Sequence, residues 1–281
     1  MDPLMTPISQ PGRIYHFHHR NGAVKNPNDF MYHYHTFYEI YLFVSGKAEF
    51  IVEDTVYPLS EKDIMVIPPY KFHKPSPEMG SDFERIVLNI FPGFFSELHC
   101  ENYREILTSV TENGYKINNR LASKYGLLDK MYDITKTFNN NYSADNILPH
   151  LHIVELMYNL YSVSQSEDFR QPQAELKITD AVVLDVVQYI NTHFRSISDV
   201  SSVTSVFNYS KNYLNKLFKE NMGISIAKYI NVKRFENVEK LHLAGYSLNE
   251  ASVESGFNNY RHFAYAYKKE YGVSPRNGLE Y

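Results

Sequence analysis

The 281-residue chain reads as an α+β multidomain protein: a small N-terminal β-barrel followed by helices, then an all-α C-terminal domain. Three observations predict this. The length exceeds the roughly 100–200 residues of one typical domain. The hydrophobic period is strand-like before about residue 93 and helical after about residue 96. The last third contains one unit twice, at an offset of 49 residues.

Each element follows from a local pattern. His33–Val44, Ala48–Val56, Asp63–Ile67 and Phe83–Phe91 are short runs rich in Tyr, Phe, Val and Ile, punctuated by Gly46, Pro58, Pro68-Pro69 and Pro75/Pro77. Such regularly spaced strands suggest a sandwich or small barrel. The segment Arg13–His19 ahead of them is either a lid over the barrel mouth or a frayed terminus. Leu127, Met131, Ile134 and Phe138 then form one helical stripe, and Ile147, Leu151, Val154, Tyr158 and Tyr161 a second. These stripes cover the barrel or face a second subunit. Residues 164–174 are polar, hold Pro172 and lack periodicity, which marks a linker between domains 1–163 and 175–281. Each domain is expected to hold its own core.

Composition bounds the function. With 43% hydrophobic and 21% charged residues, the chain is not mostly disordered. No apolar run approaches the roughly 20 residues of a membrane span. The start, Met1–Met5, lacks a basic patch before an apolar run, so no secretory signal is expected. The single Cys100 fits a reducing cytoplasm. The net charge of −4 divides into about +2 after Ala174 and −6 before it, so a phosphate-binding surface belongs to the C-terminal third.

The repeat carries the strongest signal. Phe218–Ser225 aligns with Tyr267–Ser274. Upstream of the first copy lie a helix, Val200–Phe207, a turn, and Ser210 as N-cap of a second helix. Upstream of the second copy lie Leu248–Ser255, a turn, and Asn259 as N-cap. Two helices locked across a tight turn are helix-turn-helix units, spanning about 197–221 and 247–271. The buried faces of the second helices are expected at Tyr213, Leu214, Leu217, Phe218 and at His262, Phe263, Ala266, Tyr267. The opposite faces carry Lys211, Asn212, Asn215, Lys216 and Lys219, and Tyr260, Arg261, Ala264, Tyr265 and Lys268. These are donors and stackers suited to double-stranded DNA. Ile226–Leu243 joins the units as an amphipathic helix that sets their separation.

In the first domain, His33, His35, Phe37, Glu39, Tyr41 and Phe43 share one face of an extended strand. With His73, the residues His33, His35, Glu39 and Tyr41 form a candidate ligand site. Three readings stay open: polar walls for an organic ligand, a metal centre of His33, His35, Glu39 and His73, or satisfied structural groups. An aromatic-lined cavity with Tyr, His and Glu suits a polyol or sugar.

Two resemblances follow. The spacing His33-x-His35-x3-Glu39-x6-Gly46, then Pro68-x4-His73, resembles the two cupin motifs, with Pro27 and Lys62 where each motif usually begins with Gly. The set Tyr189-Ile190, Tyr209-Ser210, Leu217–Glu220, Gly223, Arg234, Gly256-Phe257, Phe263, Tyr267–Lys269 and Gly272–Pro275 resembles the AraC/XylS family of transcription regulators. Departures are Thr204 and Ser252 at usual Ala positions, His242 at a usual Leu, and Gly278-Leu279 after Ser-Pro. The two hydroxyls place polar atoms near a core. The resemblance implies a sensory cupin domain without metal or cofactor, a homodimer, binding to promoter or operator DNA, a small-molecule effector and contact with RNA polymerase, usually as an activator. A carbohydrate-utilisation operon is the expected target, with no membrane partner. The alternatives are a barrel that binds no effector and serves only as a pairing module, and a metal-dependent cupin enzyme.

Overall fold

The computed structural model describes residues 15–26, 29–97, 102–112, 114–139, 147–169, 175–176 and 181–279. Arg13, Pro27, Cys100 and residues 170–174 of the expected linker lie outside them.

The N-terminal half contains β1 (Tyr15–Ala23), β2 (Tyr38–Ser45), β3 (Ala48–Val52), β4 (Thr55–Leu59), β5 (Ile64–Ile67), β6 (His73–Pro77) and β7 (Asp82–Ile90). It continues with α1 (Pro92–Glu97), α2 (Asn102–Glu112), β8 (Lys116–Ile117), α3 (Asn119–Lys124), α4 (Leu127–Asn139), α5 (Leu148–Ser164) and β9 (Glu175–Leu176). The strands form two antiparallel sheets, ordered β1-β7-β2-β5-β8 and β6-β3-β4-β9. One core joins their inner faces, with Tyr41, Phe43, Met65 and Val87 against Phe50, Val52 and Tyr57. The expected barrel is not closed. β6 is an edge strand whose Pro75 and Pro77 donate no N–H, and among the described residues an isolated His33–His73 bridge lies outside the ladders.

Three strand expectations shift. The run Ala48–Val56 folds back at Glu53-Asp54, where Glu53 takes φ +55°, giving the β3–β4 hairpin. The run His33–Val44 becomes regular only at Tyr38, because His33 and His35 pair with the Tyr70–His73 loop instead: His33 N–H to His73 O at 3.1 Å, Tyr70 N–H to His35 O at 2.8 Å. Residues 15–19 are neither lid nor frayed end but the start of β1, paired along β7.

The outer face of the larger sheet packs on the helices. β2 is buried on both sides, with Ile40 and Leu42 toward the helices and Tyr41 and Phe43 toward the inner core, which explains its unbroken apolar run. The α4 stripe covers the sheet: Leu127, Met131 and Ile134 are fully buried. In α5 the buried side is Ile153, Leu156, Met157, Leu160 and Val163. The stripe read from the sequence lies outside, with Ile147 65%, Leu151 53% and Tyr158 63% exposed. A helix apolar on both sides gives two stripes, and period alone does not say which meets the core.

The C-terminal helices are α6 (Ala181–His193), α7 (Val200–Phe207), α8 (Lys211–Met222), α9 (Ile226–Leu243), α10 (Leu248–Glu254), α11 (Tyr260–Tyr271) and α12 (Pro275–Leu279). Both units have the predicted caps. Ser210 accepts from Tyr213 N–H and Asn259 from His262 N–H. Gly223 and Gly272 close α8 and α11 at φ +71° and +77°, a left-handed turn that glycine enters without strain. The hydroxyls at the two unusual positions are satisfied locally, Thr204 on Ser201 O (3.0 Å) and Ser252 on Asn249 O (2.8 Å).

Two packing expectations are corrected. Tyr213 and His262 are exposed, and Met222 and Tyr271 join Leu214, Phe218, Phe263 and Tyr267 in the core. α9 is not amphipathic but buried around most of its girth, including Lys233, Arg234, Asn237 and Glu239. Arg234 donates to the carbonyls of Phe194 and Ile197, so its charge is spent on capping α6.

Each half holds its own core, as expected, but the C-terminal core also takes in side chains of the N-terminal half. Tyr70 and Phe72, from the β5–β6 loop, sit in the C-terminal core, with Phe72 5.2 Å from the Tyr229 ring. Beside them Glu53 is buried in the interface. Its carboxylate accepts from Tyr229 Oη (2.6 Å), Lys233 Nζ (3.1 Å) and Phe72 N–H (3.1 Å). Lys71 pairs with Glu236 at 2.9 Å next to it.

Burial alone would raise the Glu53 carboxyl, but Lys233, Lys71 and the two hydrogen bonds outweigh it and hold the group below its ordinary 4.5. Its stabilisation is therefore complete above pH 4.5 and lost as pH falls through the lower folded value. Glu53→Ala leaves Lys233 buried without its partner and is expected to cost about 3–5 kcal/mol in urea unfolding at pH 7. The deficit should shrink below pH 4.5; a deficit under about 0.5 kcal/mol at pH 7 contradicts the assignment.

Candidate functional sites

The sequence-predicted ligand residues converge. His33, His35 and His73 lie with ring centroids 4.3–6.2 Å apart, around the buried Glu39. Tyr41 lines the same ≈ 60 Å³ cavity as His33 and Glu39. The first two histidines reach it from the irregular stretch before β2, Glu39 and Tyr41 from β2 itself, and His73 from the start of β6.

Backbone carbonyls set the imidazole tautomers. Each Nδ1 approaches an acceptor-only oxygen, His33 on Met31 (3.0 Å), His35 on Phe37 (2.8 Å) and His73 on Lys71 (2.8 Å), so each Nδ1 carries the proton. For His35 and His73 this turns Nε2 toward Glu39, at 3.5 and 3.8 Å. Burial, then the neighbouring His33, pushes His73 well below the ordinary histidine value and keeps it neutral. Burial would raise Glu39, but His35 and the surrounding imidazoles hold it well below the usual carboxylate range. The ionised Glu39 thus faces the Nε2 atoms of His35 and His73. The nitrogens Nε2 of His35 and His73, the Tyr41 hydroxyl and His18 Nδ1 are buried without a protein hydrogen-bond partner. Such a site calls for donors or a cation from outside the chain. His33, Glu39 and His73 offer ligand atoms all within 4.8 Å of one another, a set that fits a divalent first-row ion.

The lining residues that the sequence reading did not place in the site include His18 on β1 and Arg85 on β7. Burial lowers His18 to about 4. Arg85 had a readable signal: it falls between Phe83 and Val87, two inward positions of the same strand, where an apolar residue is the default.

The segment carrying these imidazoles has a second face. Alternating with His33 and His35, Tyr32 and Tyr34 turn toward the helical domain, as Phe72 does beside His73. Tyr32 packs on Gly223, the cap of α8, where an added Cβ would stand 3.4 Å from Tyr32 Cβ. Tyr34 donates to Glu270 of α11 at 2.5 Å, and Lys228 pairs with the same carboxylate at 2.8 Å. One chain thickness therefore separates the cavity from the ends of both repeat helices.

On those helices, Lys211, Asn212, Lys216, Lys219, Arg261, Tyr265 and Lys268 are exposed. Asn215 is turned inward, its side chain accepting from Ile226 N–H at 3.2 Å, where it caps α9. Tyr260 is half-buried with its edge on Phe263. Tyr209 and Tyr213, which the sequence did not place on this surface, are exposed and 5.3 Å apart. The helical pattern assigned Tyr213 inward because it borders the apolar stripe.

Comparison with known proteins agrees with this division. A model of the AraC-like ligand binding domain matches residues 24–101, and a helix-turn-helix domain model matches residues 203–280. The chain is 24% identical over 262 residues to the HTH-type transcriptional regulator YfiF of Bacillus subtilis, covering 92% of this chain and 81% of that protein. It is 28% identical over 116 residues to the transcriptional regulatory protein HptR of Staphylococcus aureus, covering 41% of this chain and 45% of that one, so it spans less than half of that relative. Among solved structures, ToxT of Vibrio cholerae aligns over 95% of this chain and 98% of its own, at 15% identity and a TM-score of 0.38. The two matched domains also order the chain as its sequence repeat and histidine cluster do: it pairs an AraC-like ligand-binding domain with a helix-turn-helix domain, the make-up of a DNA-binding transcription regulator.

Proposed function

We propose that the chain is a ligand-responsive activator of a carbohydrate-utilisation operon, acting as a homodimer that contacts RNA polymerase. One observation carries the ligand response: the two-faced wall of Tyr32–His35 and Tyr70–His73. A molecule that shifts His33, His35 or His73 displaces Tyr32, Tyr34 and Phe72, which hold Gly223, Glu270 and Tyr229. Ligand affinity then differs between two settings of the helical domain, which is what a response requires. Imidazoles, a phenol and an ionised carboxylate supply the mixed donors and acceptors that sugar hydroxyls need. Activation and the polymerase contact rest on the family resemblance.

A second reading is favoured by the pinned Nδ1 protons, an arrangement that also orients imidazoles for a metal. In that reading His33, His35, Glu39 and His73 hold a divalent ion, which would add a Lewis-acidic contact for a ligand oxygen. Elemental analysis of protein purified without chelator decides between them. The organic reading expects substoichiometric metal, and near-stoichiometric Zn, Fe, Mn or Ni that vanishes in His73→Ala reverses the ranking.

Pairing is assigned to the outer α5 stripe, whose exposed Leu151, Tyr158 and Tyr161 continue one helical face at separations of seven and three residues. Leu151→Asp with Tyr158→Asp should convert a dimer to a monomer by light scattering while leaving the helical content unchanged. Dimers that survive the double substitution place the interface elsewhere.

For DNA, Arg261 offers a guanidinium that matches guanine bidentately, and Lys219 and Lys268 lie near helix C-termini where phosphates pass. Arg261→Ala is expected to relax sequence preference by about 1–3 kcal/mol at one position. Lys219→Ala should weaken all sequences alike and lower the salt slope by about one. Competition binding over a randomised operator library checks both, and an unchanged preference in folded Arg261→Ala removes its reading role.

A further inference from the structure

The two repeat helices bury the same stripe, Leu214, Phe218 and Met222 in α8 and Phe263, Tyr267 and Tyr271 in α11. At about 100° per residue, Asn212, Tyr213 and Lys216 surround the pole opposite that stripe in α8. The 49-residue offset puts Arg261, His262 and Tyr265 at the same phases in α11, and all six side chains are exposed. Each outward face therefore carries one phenol. Tyr213 is 51% exposed, and Tyr265, at 68%, is the most exposed large apolar side chain among the described residues. One exposed ring on a surface needs no explanation. Two of them, on the outward faces of the second helices of paired helix-turn-helix units, stand where such units meet base edges.

Tyr213 is also steadied. The Tyr209 ring, from the turn before α8, lies 5.3 Å from it at 33°. A side chain already held by a neighbour loses less freedom when it binds. The chemistry of a phenol then selects its base. It presents an apolar ring with one hydroxyl donor at the tip. In the major groove only thymine shows a methyl group, and its O4 acceptor lies beside it. Guanine shows acceptors without a methyl, and adenine and cytosine turn amino donors outward. The residues at the neighbouring phase fit purines: Asn212 matches adenine through N6 and N7, and Arg261 matches guanine through O6 and N7.

We propose that Tyr213 and Tyr265 are thymine-reading residues, each packing its ring on a thymine 5-methyl group with its hydroxyl toward O4. Each half of the binding site then holds a thymine close to an anchor purine, adenine under α8 and guanine under α11. The rings discriminate by shape and apolar contact, and the charged residues around them hold the phosphates. This proposal rests on the reading of α8 and α11 as the helices that enter the major groove, and it names the bases they select.

The test starts from duplexes that the full chain selects from a randomised library, and compares each selected duplex with the same sequence carrying deoxyuridine for thymidine. Uracil pairs as thymine does and lacks only the methyl. Wild-type protein is expected to lose about three- to five-fold per contacted methyl, the scale of one buried carbon, and about ten- to twenty-fold for the two. Tyr213→Ala and Tyr265→Ala should each remove one share of that ratio and flatten the thymine preference at one position in a repeated selection. Tyr213→Phe keeps the ring and should keep the ratio, which a general loss of affinity would not do. Unchanged helical content by circular dichroism certifies the alanine variants, and the wild-type comparison of thymine with uracil stands without them. Selected sites without thymine, wild-type indifference to uracil, or a ratio that survives both alanine substitutions overturns the thymine assignment. The reading role of the helices stands in those cases if Arg261→Ala still changes the selected sequence. Folded protein that selects no sequence at all overturns both.

Discussion

A carboxylate removed from water survives as an ion only where other groups replace its hydration, and Glu53 has its replacements on both sides of a domain boundary. Phe72 N–H comes from its own domain, and Tyr229 and Lys233 from the connector helix of the other. Neither half can supply this environment alone. The β3–β4 turn, the β5–β6 loop and α9 are therefore fixed together, and α9 in turn joins the two helix-turn-helix units. Separation of the halves would strand Glu53 and Lys233 without each other and expose Tyr70 and Phe72.

The ligand cavity inherits its connection to DNA from this junction. Extended chain turns successive side chains to opposite faces, and Tyr32–His35 and Tyr70–His73 use that alternation across a boundary. Odd positions 33, 35 and 73 bring their imidazoles into one cluster, of which His33 lines the cavity, while Tyr32, Tyr34 and Phe72 enter the helical domain. Lys211 and Lys216 of α8 and Arg261 and Tyr265 of α11 are exposed. Coupling needs no long pathway, because the side chains that would sense a ligand and those that hold the repeat helices are sequence neighbours.

Much of this was legible because its causes are local. The caps Ser210 and Asn259, the glycines ending α8 and α11, and the helix boundaries of both units follow from side-chain chemistry within a few residues. The convergence of His33, His35, Glu39, Tyr41 and His73 followed from strand alternation and one motif spacing. What escaped depends on distant partners. Glu53 meets Lys233 across 180 residues, and nothing beside it in the chain announces a buried ion. Asn215 reads as a surface amide until α9 places Ile226 N–H against it. The α5 stripe was visible but ambiguous, since both sides of that helix are apolar and only the packed sheet selects Ile153, Leu156 and Leu160. Closure of the barrel failed at β6, where the two prolines that were read as turn signals instead make an edge.

If the shared ion and the shared wall make the domains one unit, they must unfold together. Differential scanning calorimetry of the full chain at pH 7 without ligand measures this directly. The account predicts one transition whose calorimetric and van't Hoff enthalpies agree, the signature of a single cooperative unit. Two separable transitions, or a calorimetric enthalpy about twice the van't Hoff value, would mean that the domains melt independently and that the interface does not couple them.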